Sequence, residues 1–189
     1  MPSTFRVLLA AVALTVISAR TASAQQPAPS PAFPDAWLGV WRGTLTIYGA
    51  ADSVKTRVPA TLTIAKTDQP GVYRWRTVYA NDTTKGMKDY RLRVIDAAAG
   101  RYALDEGNGI LIDEVLTGGM LVSVFQVGDQ WIENRVSAHS DSLVQDLIYW
   151  TNTPVRTTGG TGPNGERGAP VMAFRVGGRQ RLVARREPH

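Results

Sequence analysis

The sequence predicts an all-β protein whose strands run up and down in chain order and close into an antiparallel meander barrel. Three observations support this fold class. Polar and apolar residues alternate with a period of two along most of the chain, as in half-buried strands. The alternating segments are separated by a few residues rich in Gly, Asn, Asp or Pro, so consecutive strands become antiparallel neighbours. After the first 24 residues, no segment of ordinary helical length has the helical period.

The alternation defines about nine strands before residue 153, and the strongest hairpin turn between them is Asn108-Gly109. A meander of this length would leave two open edges as a sheet, and closure into a barrel removes them. The predicted strands are Leu38–Tyr48, Lys55–Lys66, Val72–Ala80, Lys88–Ile95, Arg101–Asp105, Ile110–Leu116, Met120–Val127, Gln130–Ala138 and Ser142–Trp150.

The register of the second, third and fourth strands follows from the turns between them. Tight turns place Ile64 opposite Tyr73, and Leu62 opposite Trp75. On the other side of the third strand, Trp75 lies opposite Leu92. One apolar face therefore extends across three strands, as expected when one side of the sheet is core.

The opposite face of these strands carries four arginines. The same register places Arg76 opposite Arg91, and Arg74 opposite Arg93, and facing like charges destabilise a sheet. One hypothesis is a patch that binds an anion or a partner. The other is a solvated outer face on which nearby acids screen the repulsion.

The N-terminus has the three parts of a secretory signal peptide, predicted for residues 1–24. The apolar part is too short for a bilayer, which needs roughly 20 residues, so we predict export to the periplasm or beyond and no transmembrane segment. Residues 25–35 are rich in proline and are predicted to be a linker. The signal consists of the basic Arg6, the apolar run Val7–Ile17 and the cleavage site Ala22-Ser23-Ala24.

The remaining chain is predicted to divide into a barrel, a loop and a tail. The barrel covers residues 36–153, and residues 154–169 form a Gly-rich flexible loop. Residues 170–189 form a C-terminal hairpin and a basic tail, with Gly177-Gly178 as the turn, and the hairpin either closes the barrel or lies against its outside.

Composition excludes several classes of function. There is no cysteine, so disulfides, thiol catalysis and Cys-type zinc sites are absent. The formal net charge of +5 is concentrated at the two ends, because seven arginines and two glutamates follow residue 153. Basic and aromatic residues are not interleaved along a long face, so no nucleic-acid partner is predicted.

Gly39-Val40-Trp41 on the opening strand resembles the Gly-x-Trp motif of lipocalin-like (calycin) barrels. In that family the Trp closes the bottom of the barrel and the Gly lets the chain bend around it. The middle of the chain is similar to uncharacterised secreted lipocalin-like domains of bacteria. This resemblance implies a barrel with a cavity open at one end and no catalytic residues. It is carried by Tyr73-Arg74-Trp75, Asp89-Tyr90-Arg91-Leu92 and the run from Tyr102 to Asp113.

Large apolar and aromatic side chains on the inward phase are the predicted ligand-binding residues. In a small barrel such side chains either fill the interior or surround one small ligand, and the sequence leaves both open. Buried Tyr and Trp need polar partners, which favours an interior that is not wholly apolar. The predicted set is Trp41, Leu62, Tyr73, Trp75, Tyr90, Leu92 and Phe125.

Two acidic pairs, Asp105-Glu106 and Asp113-Glu114, flank the Asn-Gly turn. Paired carboxylates suit acid–base work or a hard cation such as calcium. Their spacing is not that of an EF-hand, and the simpler interpretation is that they decorate a hairpin and balance the arginines. We predict no metal site and no cofactor.

His139 lies in a predicted turn, and His189 is the last residue. A heme-binding barrel such as a nitrobindin needs an axial histidine aimed into its cavity, and a turn position serves this poorly. Ser140, Asp141 and Ser142 supply the residue types of a catalytic triad, but adjacency in sequence is not triad geometry. We therefore predict no catalytic residues and no enzymatic activity.

Two functional hypotheses remain. The first is an exported calycin-like barrel that binds a small, mostly apolar molecule. The second is a non-catalytic envelope interaction or structural module with a filled barrel and an Arg-rich outer face. A cavity of several hundred cubic ångströms would favour the first, and a filled interior the second.

Overall fold

The computed structural model describes residues 32–188, and β-strands dominate that range. Two short 3-10 helices, Asp35–Trp37 and Ala50–Asp52, also occur there. The strands are β1 (Gly39–Tyr48), β2 (Val54–Lys66), β3 (Val72–Tyr79), β4 (Met87–Asp96), β5 (Arg101–Asp105), β6 (Leu111–Thr117), β7 (Met120–Val127), β8 (Gln130–His139), β9 (Ser142–Thr151), β10 (Arg156–Thr158), β11 (Val171–Ala173) and β12 (Val176–Arg186).

Ten of the strands in the described region form one closed antiparallel barrel. From β1 to β9 each strand pairs with the next strand in the chain. β12 completes the ring because it pairs with β9 on one side and with β1 on the other. The molecule is therefore the all-β up-and-down barrel that the sequence predicts, consistent with a lipocalin- or calycin-like fold.

The period-two alternation of the sequence reappears as alternating burial. On β2, Ala60, Leu62 and Ile64 are buried, whereas Thr61 and Thr63 between them remain partly exposed. Successive strand residues point to opposite faces of the sheet, so one set fills the interior. The largest fully buried side chains are Trp41, Leu62, Ile64, Leu92, Leu121, Val136, Leu143 and Leu182.

The barrel closes where β1 and β12 approach each other most tightly, at Gly43. A Cβ atom at this residue would lie 1.9 Å from the carbonyl oxygen of Val183. Gly43 pairs with Ala184 on one side and Ala60 on the other, so three small residues stand in a row. A larger side chain at residue 43 would push β12 away from β1.

The predicted register between β2 and β3 is wrong by two residues. Ile64 pairs with Trp75 rather than with Tyr73. The reason is the turn between the two strands, in which the Thr67 hydroxyl donates a hydrogen bond to the carbonyl oxygen of Val72 at 2.7 Å. The turn therefore lies further along the chain than predicted. Because the shift is an even number of residues, every side chain keeps its predicted face.

The register between β3 and β4 is shifted by two residues in the other direction. Trp75 pairs with Tyr90 rather than with Leu92. Ala80 and Asn81 have φ angles of 54° and 58°, so the chain turns there, earlier than expected. The apolar face is again preserved.

The Asn108-Gly109 turn is also different from the prediction. The connection is a five-residue loop, Glu106–Ile110, in which Gly107 and Gly109 adopt positive φ and Asn108 does not. The Asp105 carboxylate accepts the amide of Gly107 at 2.8 Å, and the Asn108 side chain accepts the last amide of the loop at 3.0 Å. Side-chain capping therefore replaces the two-residue turn.

The predicted C-terminal hairpin is wrong. β11 pairs with β10, which lies inside the predicted 154–169 loop, and the two form a separate ribbon. β12 belongs to the barrel, which thus extends beyond residue 153. Gly177 and Gly178 are not a turn: they lie within β12 at a register shift, where any Cβ would collide with the Tyr149 ring.

The last residues of the predicted 25–35 linker are part of the fold. Phe33 packs against the core, Pro34 is buried, and Asp35 begins the first 3-10 helix. The predicted signal peptide, residues 1–24, lies outside the described residues. Within residues 32–188, none of the helices has the length and apolar character needed to span a bilayer.

Candidate functional site

One end of the barrel is closed around Trp41, which has no exposed surface. Its indole nitrogen donates to the carbonyl oxygen of Trp37 at 3.0 Å. Arg186 of β12 covers the ring, with its guanidinium carbon 4.3 Å from the ring centre. The terminal nitrogens of Arg186 donate to the carbonyl oxygens of Ala36 and Leu38 at 2.8 Å. These contacts tie the first 3-10 helix to both strands that close the barrel.

Residues that precede β1 complete this closed end. The Phe33 ring meets Tyr102 edge to face, with ring centres 4.8 Å apart. Asp35 accepts a hydrogen bond from the Tyr73 hydroxyl at 2.7 Å and forms an ion pair with Lys66 at 2.8 Å. The bond to this carboxylate raises the pKa of Tyr73 to about 12, and Lys66 followed by Tyr73 lowers the pKa of Asp35. The pairing holds the start of the domain against the barrel.

Beyond the closed end, the barrel contains a cavity of about 210 Å³. Strands β3 to β9 and Glu106, the first residue of the loop after β5, supply its lining residues, and β1, β2 and β12 supply none. The cavity therefore occupies one side of the interior, while the side next to β1 is packed. Its apolar wall consists of Trp75, Leu104, Ile112, Leu121, Phe125, Val136 and Leu147.

The seven predicted ligand-binding residues divide between the cavity and the closed end. Three of them line the cavity: Trp75, Tyr90 and Phe125. The other four pack in or against the core and do not reach it: Trp41, Leu62, Tyr73 and Leu92. The alternation of the sequence separates inside from outside, but it carries no information about position along the barrel axis.

Glu114, for which the sequence favours hairpin decoration over a chemical role, belongs to the cavity instead. Its side chain lines the cavity and the residue is only 3% exposed, whereas hairpin decoration would leave it in solvent. Burial raises the pKa of the Glu114 carboxyl to about 8. A signal was present in the sequence, because Glu114 shares the inward phase of β6 with Ile112 and Leu116.

The polar side chains around Glu114 leave part of its hydrogen-bonding capacity unused. Ser123 on β7 lies near enough to lower the pKa of the carboxyl in part, yet the two form no hydrogen bond of normal geometry. Glu114 Oε2 and Ser123 Oγ are both buried without a hydrogen-bond partner among residues 32–188. Asn134 and Gln145 also line the cavity, but they bond to each other at 2.8 Å.

A second polar group lies where β4 and β5 border the cavity. Tyr90 and Glu106 both line it, and burial together with the negative charge of Glu106 raises the pKa of Tyr90 to about 12. Burial also raises the pKa of Tyr79. Lys88 supplies the positive charge among the lining residues. The cavity thus combines an apolar wall with a few convergent polar groups.

The four arginines lie on the outer face, as predicted, but their pairing is different. Arg76 faces Asp89, and Arg74 faces Arg91. Asp89 bonds to Arg76 at 2.7 Å and lies 3.2 Å from Arg91 and 3.6 Å from Arg74. Arg76, followed by the other two charges, lowers the pKa of Asp89. The two-residue register shift thus replaces a like-charge pair with an ion pair.

Arg93 belongs to a separate ion pair on the same outer face. Its Nε and one terminal nitrogen donate to a single Asp105 oxygen at 2.9 and 2.6 Å. The backbone amide of Gly107 and the guanidinium of Arg93 lower the pKa of Asp105. The hypothesis of an anion-binding or partner-binding patch at Arg74, Arg76, Arg91 and Arg93 stays a prediction.

The histidine and serine candidates lie apart from the cavity. His139 is exposed at the end of β8, where it pairs with Ser142, and Asp141 bonds to Arg185 at 2.9 Å. His189 lies outside the described residues. Across residues 32–188, acidic and histidine side chains form no cluster that could hold a metal ion. Of the two acidic pairs, Glu106 and Glu114 line the cavity, while Asp113 is exposed.

No family model and no curated protein matches this chain. Among solved structures, the chain is similar to a protein of unknown function from the DUF3598 family of Nostoc punctiforme PCC 73102. The TM-score is 0.53 at 14% sequence identity, over 79% of this chain and 47% of that one. The chain thus spans about half the length of that protein. At this identity the likeness concerns the fold alone, and it supports a barrel.

Proposed function

We propose that this protein is an exported, lipocalin-like barrel that binds a small, mostly apolar molecule in its interior. The observation that carries the proposal is the cavity of about 210 Å³ beside a fully packed closed end. An apolar cavity of about 150 Å³ is large enough to bind benzene. Pockets for drug-sized ligands begin at about 300 Å³, so the ligand is a small one, about the size of one ring with a short substituent.

The composition of the wall supports binding of such a molecule. Trp75, Phe125 and Leu121 provide an apolar surface, and Glu114 and Ser123 provide polar atoms without protein partners. Binding sites for small molecules combine these two elements, with the apolar surface supplying affinity and the few polar groups orientation.

Two features of the sequence support the remaining parts of the proposal. The basic, apolar and Ala-x-Ala segments before residue 25 support export. Gly39-Val40-Trp41 supports the lipocalin-like assignment, because Trp41 sits at the closed end of the barrel, where that motif predicts it.

The alternative of an envelope interaction module is less well supported. It requires a filled barrel, whereas one side of this interior is a cavity. Its Arg-rich outer face is present but partly neutralised, because Asp89 and Asp105 form ion pairs with the outer arginines. We propose no catalytic role, since the sequence carries no catalytic motif.

A matched pair of substitutions on β9 tests the proposal. Leu147 lines the cavity, and its neighbour Ile148 borders a groove on the outer face. Titration calorimetry with toluene, indole and 2-phenylethanol should show binding to the wild type and to Ile148→Trp but not to Leu147→Trp, whose indole fills the cavity. Failure of all three probes to bind the wild type below about 10 mM would contradict the proposal, as would equal binding to both variants.

A native mass spectrum of protein purified from its own host addresses the natural ligand. We expect an added mass that corresponds to a small organic molecule and that is lost in the Leu147→Trp variant. The Ile148→Trp variant should retain it.

A further inference from the structure

The strongest unexplained feature of the cavity is the carboxyl of Glu114. The residue is 3% exposed, and within the described part of the chain its Oε2 has no hydrogen-bond partner. Buried polar groups in folded proteins nearly always have partners, and an unpaired one calls for an explanation. A carboxyl group on the wall of a cavity gains its partner when a ligand with a donor group enters.

The residues around Glu114 indicate what kind of molecule carries the donor group. Ile112, Leu121 and Val136 form an apolar wall next to the carboxyl. The side-chain amides of Asn134 and Gln145 hydrogen-bond to each other, so fewer of their donors and acceptors are left for a ligand. A molecule with one polar head and an apolar body therefore matches the arrangement.

We propose that the cavity selects a small molecule that carries a protonated amine on an apolar body, and that Glu114 forms the ion pair with this amine. The inference rests on the proposed function, because it names the class of ligand for the same cavity. A charge-assisted hydrogen bond to a carboxylate is among the stronger polar interactions in proteins, and here it forms in an apolar setting.

The charge state of Glu114 changes when the amine binds. With a pKa of about 8, the free carboxyl holds its proton near neutral pH. Entry of a cationic amine favours the carboxylate, so one proton leaves Glu114 for solvent as the N–H···O⁻ pair forms. Affinity for the amine therefore rises with pH until the free carboxyl is ionised.

The other titratable groups around the cavity do not share this behaviour. The pKa values of Tyr79, Tyr90 and Tyr102 are raised above the ordinary value of 10, so these hydroxyls stay neutral near pH 7. Tyr102 lies opposite Glu114 in the β5–β6 pair. The remaining charged side chains at the cavity are Lys88 and Glu106.

The test compares three probes of nearly equal size: 2-phenylethylamine, 2-phenylethanol and phenylacetate. Titration calorimetry at about pH 8 should show the amine binding at least about tenfold more tightly than the alcohol, and the anion more weakly than either. At about pH 6 the preference for the amine should shrink. In buffers of different ionisation enthalpy, amine binding should release close to one proton per site at about pH 6 and about half a proton at about pH 8.

Two variants assign the effect to one side chain. Glu114→Gln should bring the amine and the alcohol to within about threefold of each other and abolish proton release, while binding of the alcohol persists. Asp113→Asn changes the exposed neighbour on the same strand and should leave the preference intact. Glu106→Gln reports on the second carboxyl of the cavity and should retain most of the preference.

The outcomes separate this inference from the proposed function. If the alcohol binds and the amine gains nothing, or if the anion binds best, the amine site is wrong while the binding cavity stands. If affinity for the amine falls as pH rises toward 8, the role of Glu114 is also wrong. If no probe binds, both proposals fail. Should Glu114→Gln not fold, the proton release and probe order of the wild type still decide.

Discussion

The closed end and the cavity of this barrel differ in how many of their buried polar atoms have hydrogen-bond partners. At the closed end, the Trp41 indole nitrogen, the Tyr73 hydroxyl and the terminal nitrogens of Arg186 have partners, while Arg186 Nε is buried without one among the described residues. In the cavity, Glu114 Oε2 and Ser123 Oγ have none. Unpaired buried polar groups reduce stability, so each one in a folded protein calls for an explanation. The closed end therefore has more of its buried polar atoms paired than the cavity, and under the proposed function the unpaired cavity atoms are those that a ligand contacts.

The largest expected effect concerns β12, which pairs with β1 at the closed end and with β9, a strand that lines the cavity. A chain stopped at Thr153 lacks β12 and leaves β1 and β9 as open edges. We expect this chain to aggregate or to lose cooperative unfolding in thermal melts.

Shortening the segment between β10 and β11 is the matched control for that truncation. Residues 159–168 are almost fully exposed, and loop-closure entropy changes slowly with length. This variant should melt cooperatively near the wild-type temperature. Equal stability of the two shortened chains would show that β12 is an appendage.

Trp41→Ala tests the closed end directly. Truncation of a fully buried aromatic costs about 3–5 kcal/mol, and this one also removes the bond to Trp37 and the contact with Arg186. Trp75→Ala should cost less, because the Trp75 ring already borders a cavity. Denaturant melts measure both, and a loss below about 1 kcal/mol for Trp41→Ala would refute the structural role of the closed end.

Glu114 makes the stability of the cavity region depend on pH. Its carboxyl has a pKa of about 8 in the folded chain and an ordinary value of 4.5, so the folded state binds the proton more tightly. The stabilisation from this group is complete below about pH 4.5 and is lost as pH rises to about 8, by an amount on the order of 5 kcal/mol.

Glu114→Gln should remove this pH dependence from denaturant melts. The paired aspartates do not interfere, because the pKa values of Asp35, Asp89 and Asp105 are lowered from 3.8 and their titration falls below the window. A wild type whose stability is flat or rises between about pH 5 and 8 would show that the carboxyl is not buried.

Arg76→Thr should have the smallest effect. The Arg76 side chain is 34% exposed and its ion pair with Asp89 lies on the outer face. Partly exposed ion pairs contribute little, so the free energy of unfolding should change by less than about 0.5 kcal/mol. A much larger loss in denaturant melts would mean that the outer arginines also stabilise the barrel.

The sequence was sufficient to predict the barrel because alternation determines which side chains face inward. On β3, Trp75 and Thr77 are buried, while Arg74 and Arg76 lie outside, as the pattern predicts. A register error of two residues leaves this assignment unchanged, so the correct fold was reached through incorrect pairs. The same error predicted that Arg76 faces Arg91, because charge pairing depends on register and not on face.

The site was harder to predict than the fold. Residue type indicates neither the height of Trp41 and Trp75 along the barrel axis nor the packing of Gly177 and Gly178 under Tyr149. The pair Asp113-Glu114 beside the Asn-Gly turn predicts carboxylates that decorate a hairpin and balance the arginines, whereas Glu114 is buried. Glu114 lies on the same face of β6 as Ile112, which predicts that its side chain points into the barrel. A charged residue on an inward-facing position is therefore the sequence signal for this site.

Closure of the barrel by β12 also has a consequence for the order of folding. The pair of β1 and β12 joins residues as far apart in sequence as Trp41 and Arg186, whereas the other barrel contacts join strands that follow each other closely or through the ribbon. Contacts of such long range form slowly, since the intervening chain must first be ordered. We expect the meander from β1 to β9 to assemble first as a curved sheet with two open edges. Trp41 would then lose contact with water in the last, rate-limiting phase, and its fluorescence would report that phase.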